Sequence, residues 1–231
     1  METELPEKYK IRLQWLQEKY RYRTDVCAKH HFRLYINCSP QKGCRKTTEF
    51  MESSHICPLN PRFMLVNFSI KSNLSEKDAL HANAIIVDHY RREYERFEPR
   101  GSLPEPRESI INDVLDKEFR ETFSLHGYKY IDPASFCPIV ERLKGKKTIN
   151  QPYGPQSFAT KDDKGGTCIF WSLYYIEQRM LYPERSRDDF IRDMIGKSPQ
   201  ELEKIIRNFV VKIHYVGYPM KESLYKNILG I

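Results

Sequence analysis

Four residues have the types and the chain order that thiol-based amide chemistry requires: His81, Glu98, Gln156 and Cys168. Cys168 follows Gly165–Gly166–Thr167 and opens CIFWSLYYIEQRM, whose length and flanking Gly pair and Pro183 favour a buried helix over a strand. A thiol at a helix N-terminus faces unpaired backbone N–H groups and the positive end of the dipole, which lower its pKa and favour thiolate. A thiolate attacks an acyl carbon and needs a His within hydrogen-bond reach to carry the proton. That His needs a carboxylate on its other nitrogen to fix tautomer and charge. His81 opens one strand-like run and Glu98 sits near the end of the next, so one hairpin would hold them side by side. Gln156, in the loop before Cys168, carries an amide that suits an oxyanion. Taken singly, each has a plain reading too: a core thiol, a polar strand edge, a strand end, a solvated loop residue.

Hydrophobic periodicity supplies the elements around them. Residues 5–21 read as a helix with Tyr9, Leu13, Leu16 and Tyr20 on one face. Residues 24–60 hold Cys27, Cys38, Cys44 and Cys57 with little periodicity, except that HFRLYINC (31–38) alternates like a strand. RFMLVNFSI (62–70) places Phe63, Leu65 and Asn67 on one face and Met64, Val66 and Phe68 on the other. ANAIIVDHY (82–90), a charged turn around Arg91–Glu93, and YERFEP (94–99) predict a hairpin or meander. Ile111, Leu115, Phe119 and Phe123 form a helical ladder ending near Gly127, and YKYIDP (128–133) reads as a short strand. Residues 141–167 are loop-like. Ser186 caps a short helix to Ile195, stopped by Gly196. Ser198, Pro199 and Glu201 are the cap, first-turn Pro and capping-box acid of a last helix, whose core face is Leu202, Ile205, Ile206, Phe209, Val210 and Ile213. The order is that of an α+β domain over residues 61–231, preceded by an N-terminal extension over 1–60.

Composition narrows the classes. The 231 residues are 40% apolar and 30% charged, which is globular rather than disordered. No apolar stretch is long enough for a transmembrane helix, so no membrane partner is expected. METELPEKYK lacks the apolar segment of a secretory signal, and six Cys without one predict reduced thiols in an intracellular setting. A net charge of +7 permits nucleic-acid contact without demanding it. Cys27, Cys38, Cys44 and Cys57 are separated by ten, five and twelve residues. Structural zinc sites usually show a tighter knuckle, so buried thiols explain them better than a metal, and no cofactor is expected. Trp171 is expected in the core. Asn83 lies on the strand face of His81, where it could help orient the site, and an exposed strand residue is its plainer reading. Asp88 and His89 are adjacent on a strand and point to opposite faces, so they do not serve one site.

HANAIIVDHYRREYERFEPRG (81–101) resembles the His-to-acid segment of the adenain family, the maturation proteases of adenoviruses. Sixteen residues separate His from Glu, and the acid lies in a Phe-Glu-Pro-x-Gly turn. GGTCIFWSLYYIEQRMLYPE (165–184) is similar to the related cysteine proteases of large nucleocytoplasmic DNA viruses. The wider SUMO-protease-like clan has the chain order His, acid or Asn, Gln, Cys, which His81, Glu98, Gln156 and Cys168 repeat. The resemblance covers about residues 62–183. It implies a papain-like fold in permuted order, with a mixed or antiparallel sheet packed by helices. It implies a His-Glu-Cys peptidase cutting at Gly-Gly-type sites, with Gln156 at the oxyanion. In the viral branch the implied task is processing structural polyproteins at assembly sites in the host cytoplasm and in the virion, with DNA as an activating surface. The chain departs from the pattern in three places. Eleven residues separate Gln156 from Cys168, more than is usual, which keeps Gln151 open as a rival. Thr167 stands where Asp is common before the nucleophile, and Ile169 where Gly often follows it. Two other functions remain open: a deconjugating isopeptidase for ubiquitin-like proteins, and a basic scaffold or nucleic-acid-binding protein that keeps the fold without the activity.

Overall fold

Strand alternation organises the molecule. The computed structural model describes residues 15–16, 18–39, 41–51, 57–73, 81–99, 106–124, 126–133 and 167–215. Its strands are β1 (Val26–Ser39), β2 (Gly43–Met51), β3 (Phe63–Ser72), β4 (His81–Asp88), β5 (Glu93–Phe97) and β6 (Lys129–Ile131). They form one sheet in the order β2-β1-β3-β4-β5-β6. β1 with β3 and β5 with β6 pair in parallel, and the other neighbours are antiparallel, so the sheet is mixed. The helices are α1 (Pro106–Ser124), α2 (Thr167–Leu181), α3 (Arg187–Ile195) and α4 (Pro199–Tyr215). Among the described residues no helix is long and apolar enough to cross a membrane.

Period-two alternation gives the sheet two buried faces. Phe63, Leu65, Ala82, Ala84, Ile86 and Phe97 pack against α2, α3 and α4. Val66, Phe68, Ile70, Ile85, Val87 and Tyr94 pack on the other face against Leu115 and Phe119 of α1. The sheet is thus the middle of three layers. Residues 15, 16, 18 and 19 are helical, and Trp15, Leu16 and Tyr20 close the α2 side. Trp15 meets Phe209 edge-to-face at 5.6 Å. Residues 5–14 of the expected first helix lie outside the described residues.

β1 and β2 come from the N-terminal region and extend the same sheet. Val26 and Ala28 of β1 face the α2 side, whereas Leu34 and Ile36 face the α1 side, although all four numbers are even. The register explains this. Cys27 pairs with Met64 and His30 with Val66, so β1 gains one residue on β3 between them. One bulged residue flips every later side chain to the opposite face.

The cysteines of this region are bonded rather than free, which corrects the expectation of reduced thiols. Cys38 and Cys44 are direct cross-strand partners of the β1–β2 hairpin and form a disulfide. Cys27 pairs with Cys57, which precedes β3, the strand beside Cys27. Both pairings depend on strand register, which the Cys spacing does not reveal.

The later helices start and stop as their sequences dictate. Ser186 accepts from Asp188 N–H at 3.2 Å, and Gly196 N–H closes α3 on Arg192 O at 2.8 Å. At α4, Glu201 accepts from Ser198 N–H at 2.7 Å while Ser198 Oγ accepts from Glu201 N–H at 3.3 Å, a reciprocal capping box.

Candidate active site

The β4–β5 hairpin sets the geometry of the first pair. Asp88 Oδ1 accepts from the N–H groups of Tyr90 and Arg91 at 3.0 and 3.1 Å, turning the chain, and Arg92 adopts φ 50° at its end. The register then runs Asp88 with Glu93 to Ala84 with Phe97. One further step places Asn83 opposite Glu98, with His81 two residues along on the same face. Such diagonal neighbours are within reach of long side chains. His81 Nε2 hydrogen-bonds Glu98 Oε1. The spacing from His81 to Glu98 is therefore a hairpin register.

Cys168 reaches the same place from the other side of the sequence. α2 buries Cys168, Ile169, Phe170, Trp171, Leu173, Tyr175, Ile176 and Met180, so it is apolar around most of its girth and runs through the core. Trp171 is fully buried, as expected. Ala82 and Ala84 present little bulk to the helix, and Ser172 Oγ donates to Ala82 O at 3.4 Å. This seats the start of α2 beside the start of β4. There the Cys168 side chain hydrogen-bonds His81. With Nε2 committed to Glu98, Nδ1 is the imidazole nitrogen left for the thiol.

His81 is 23% exposed and Glu98 only 7%. Burial opposes charge on His81. The Glu98 carboxylate, the hydrogen bonds to Cys168 and Glu98, and the charge on the Cys168 sulfur outweigh it, and push the pKa from 6.5 up to about 10. His81 is thus held as imidazolium at neutral pH, beside a thiol at a helix N-terminus.

Behind the pair stands a polar network of which sequence reasoning raised only Asn83 and missed Arg96, Asp116 and Tyr130. Asn83 is completely buried, not the exposed strand residue expected. Its Nδ2 donates to Glu98 Oε2 at 2.8 Å, and its Oδ1 accepts from Arg96 Nη1 at 2.9 Å. Arg96, 1% exposed, also donates from Nη2 to Asp116 Oδ1 of α1 at 2.9 Å and from Nε to Tyr130 Oη of β6 at 3.0 Å. The Tyr130 hydroxyl in turn donates to Asp116 Oδ1. The signal was present in the alternation, since residues 94, 96 and 98 share a face with 81 and 83. Their counter-groups, however, come from α1 and β6.

Of the four sequence-derived site residues, His81, Glu98 and Cys168 come together. Gln156, its rival Gln151 and the Gly165–Gly166 pair lie outside the described residues. Asp88 and His89 part company as expected: Asp88 accepts from Arg62 Nη2 at 3.2 Å, and His89 Nδ1 shares a hydrogen bond with Tyr128 Oη at 2.7 Å. No group of three or more potential metal ligands occurs among the described residues.

No protein-family model matches the chain. The putative ankyrin repeat protein L371 of Acanthamoeba polyphaga mimivirus is 26% identical over 180 residues, covering 71% of this chain and 22% of that protein. The chain therefore spans about a fifth of the length of this curated relative. Among solved structures, the Chlamydia abortus effector protein ChlaDUB aligns with a TM-score of 0.38 at 13% identity, over 74% of this chain and 66% of that one.

Proposed function

We propose that this chain is a cysteine peptidase of the SUMO-protease-like clan, with Cys168 as nucleophile, His81 as proton carrier and Glu98 as the group that fixes and charges the imidazole. The reading rests chiefly on one observation: His81 bridges the Glu98 carboxylate and the thiol at the head of α2. The thiolate sulfur attacks the scissile carbonyl carbon, and the carbonyl π pair moves onto oxygen. Gln156 and backbone N–H groups at the start of α2 stabilise that oxyanion. The carbon–nitrogen bond then breaks as the imidazolium gives its proton to the leaving amine. Water, deprotonated by the now neutral imidazole, displaces the thiolate and frees the acid.

Residues 61–231 carry this chemistry on a papain-like arrangement of permuted order, and residues 1–60 extend it. The substrate class is a chain with a Gly-Gly-type site, as the resemblance of residues 62–183 to the SUMO-protease-like clan implies. The task is processing of viral structural polyproteins at assembly sites and in the virion, and the sequence likeness to a mimivirus protein supports a viral setting. Incubation with a Gly-Gly-containing capsid-type polyprotein and with ubiquitin-like conjugates tests both activity and substrate. Cleavage of the polyprotein, lost in Cys168→Ser, is expected. Cleavage of the conjugates alone would replace the endopeptidase with an isopeptidase, and cleavage of neither would favour a scaffold.

A further inference from the structure

Glu98 lies between two cations and bonds only one of them directly. Its Oε1 meets His81, whereas its Oε2 is 3.9 Å from Arg96 Nη1, too far for a hydrogen bond. Asn83 fills the interval, giving an N–H to the carboxylate and taking one from the guanidinium. An amide offers both polarities at once. Asp at this position would only accept, and Ala would do neither. The guanidinium is anchored on its far side by Asp116 and Tyr130.

We propose that Asn83, Arg96 and Asp116 are positioning residues for the catalytic pair, with Asn83 a neutral spacer that keeps Arg96 on Asp116 and leaves Glu98 to His81. This rests on the reading of His81 and Cys168 as a catalytic ion pair. Without the spacer, Arg96 swings onto Glu98 in a direct pair, as a fork suited to carboxylate does. Glu98 then spends its charge on the guanidinium rather than the imidazole. Without the Asp116 charge, Arg96 loses its counter-ion and pulls on Glu98 in the same way. A buried ion pair alone is weak evidence for a stabilising purpose. Here two such pairs sit side by side, separated by one amide.

Among the described residues, the charged or titratable groups that face His81 are Glu98 and Cys168, with Arg96, Asp116 and Tyr130 behind them. Arg120 pairs with Asp132 beyond Tyr130 and lies over its ring. The experiment is a nuclear magnetic resonance titration of the His81 ring, assigned with His81→Ala, in the full chain and in Asn83→Ala and Asp116→Asn. The wild-type inflection is expected near pH 10. Both variants should lower it by about one unit or more. A merely structural role would change stability and leave the inflection in place. An unmoved or raised inflection in either folded variant overturns the spacer role. Asp116→Asn, nearly isosteric, decides alone if Asn83→Ala does not fold. A wild-type inflection near 6.5 would instead remove the catalytic reading itself, and the spacer with it.

Discussion

Two carboxylates three residues apart, Glu95 and Glu98, sit on opposite faces of the same sheet and are both nearly sealed from water. Glu95, 3% exposed, accepts from Arg179 Nε at 2.8 Å, Arg187 Nε at 2.6 Å and Tyr175 Oη at 3.2 Å. Arg187 also reaches Glu93 at 2.6 Å. The cluster ties β5 to α2 and α3, and contains no His and no Cys. Glu98 accepts from an amide and an imidazole, and that imidazole ends on a thiol. One carboxylate is saturated by permanent cations and clamps the layers. The other is paired with a cation that can give up its proton. Burial and charge are common to both; the titratable partner separates the candidate site from a clamp.

Substitutions at the two ends should therefore fail in different ways. His81→Ala should lower turnover by roughly a thousandfold or more. Glu98→Gln should be milder, on the order of tenfold to a thousandfold, because the amide still accepts from imidazole but gives up the charge. Equal losses, with both proteins folded, would mean that the carboxylate does more than orient. Gln156→Ala should lower turnover by about a hundredfold with substrate binding nearly unchanged. If Gln156→Ala is inert while Gln151→Ala is crippled, the oxyanion amide is Gln151. At the other end, Glu95→Gln should leave the turnover of folded protein near wild type. It should cost roughly 3–5 kcal/mol in urea unfolding, because the buried Arg179 guanidinium loses its carboxylate and half-buried Arg187 keeps only Glu93. A catalytic loss there with unchanged stability would erase the contrast.

The pH dependence of stability carries the smallest effect. The folded pKa of His81, about 10, lies above its ordinary 6.5, so the folded state holds a proton that the unfolded chain has released between those values. The stabilisation is complete below about pH 6.5 and is lost as pH rises through about 10. The stability gap between wild type and His81→Ala should shrink across that window. A gap that does not change with pH would contradict the raised pKa.

Most of the hairpin that carries His81 and Glu98 was legible, because its strands alternate cleanly and its turn is short and polar. The start of α2 was legible from an apolar run too long for a strand. The helix starts at Ser186 and Ser198 were legible from local capping chemistry. β1 was read only over 31–38, since the bulge between Cys27 and His30 breaks the alternation that a single period would extend to Val26. β2, GCRKTTEFM, exposes Arg45, Lys46, Thr47 and Thr48 at the sheet edge and offers no apolar alternation to read. The Cys38–Cys44 disulfide depended on that unread strand, and Cys27–Cys57 on the unread start of β1. Asn83 and Arg96 look like surface residues until α1 and β6 bring Asp116 and Tyr130 to them. A polar residue's burial depends on partners distant in sequence, which periodicity does not carry.

The central claim is that Cys168 is a nucleophile armed by His81. The most direct test is reaction of the full chain with a thiol-directed electrophile built on a Gly-Gly peptide, with the adduct mapped by mass spectrometry. The expected result is a single adduct at Cys168 in wild type and little or none in folded His81→Ala. An adduct instead at Cys137, the remaining cysteine of the sequence, or equal labelling of Cys168 with and without His81, would contradict it.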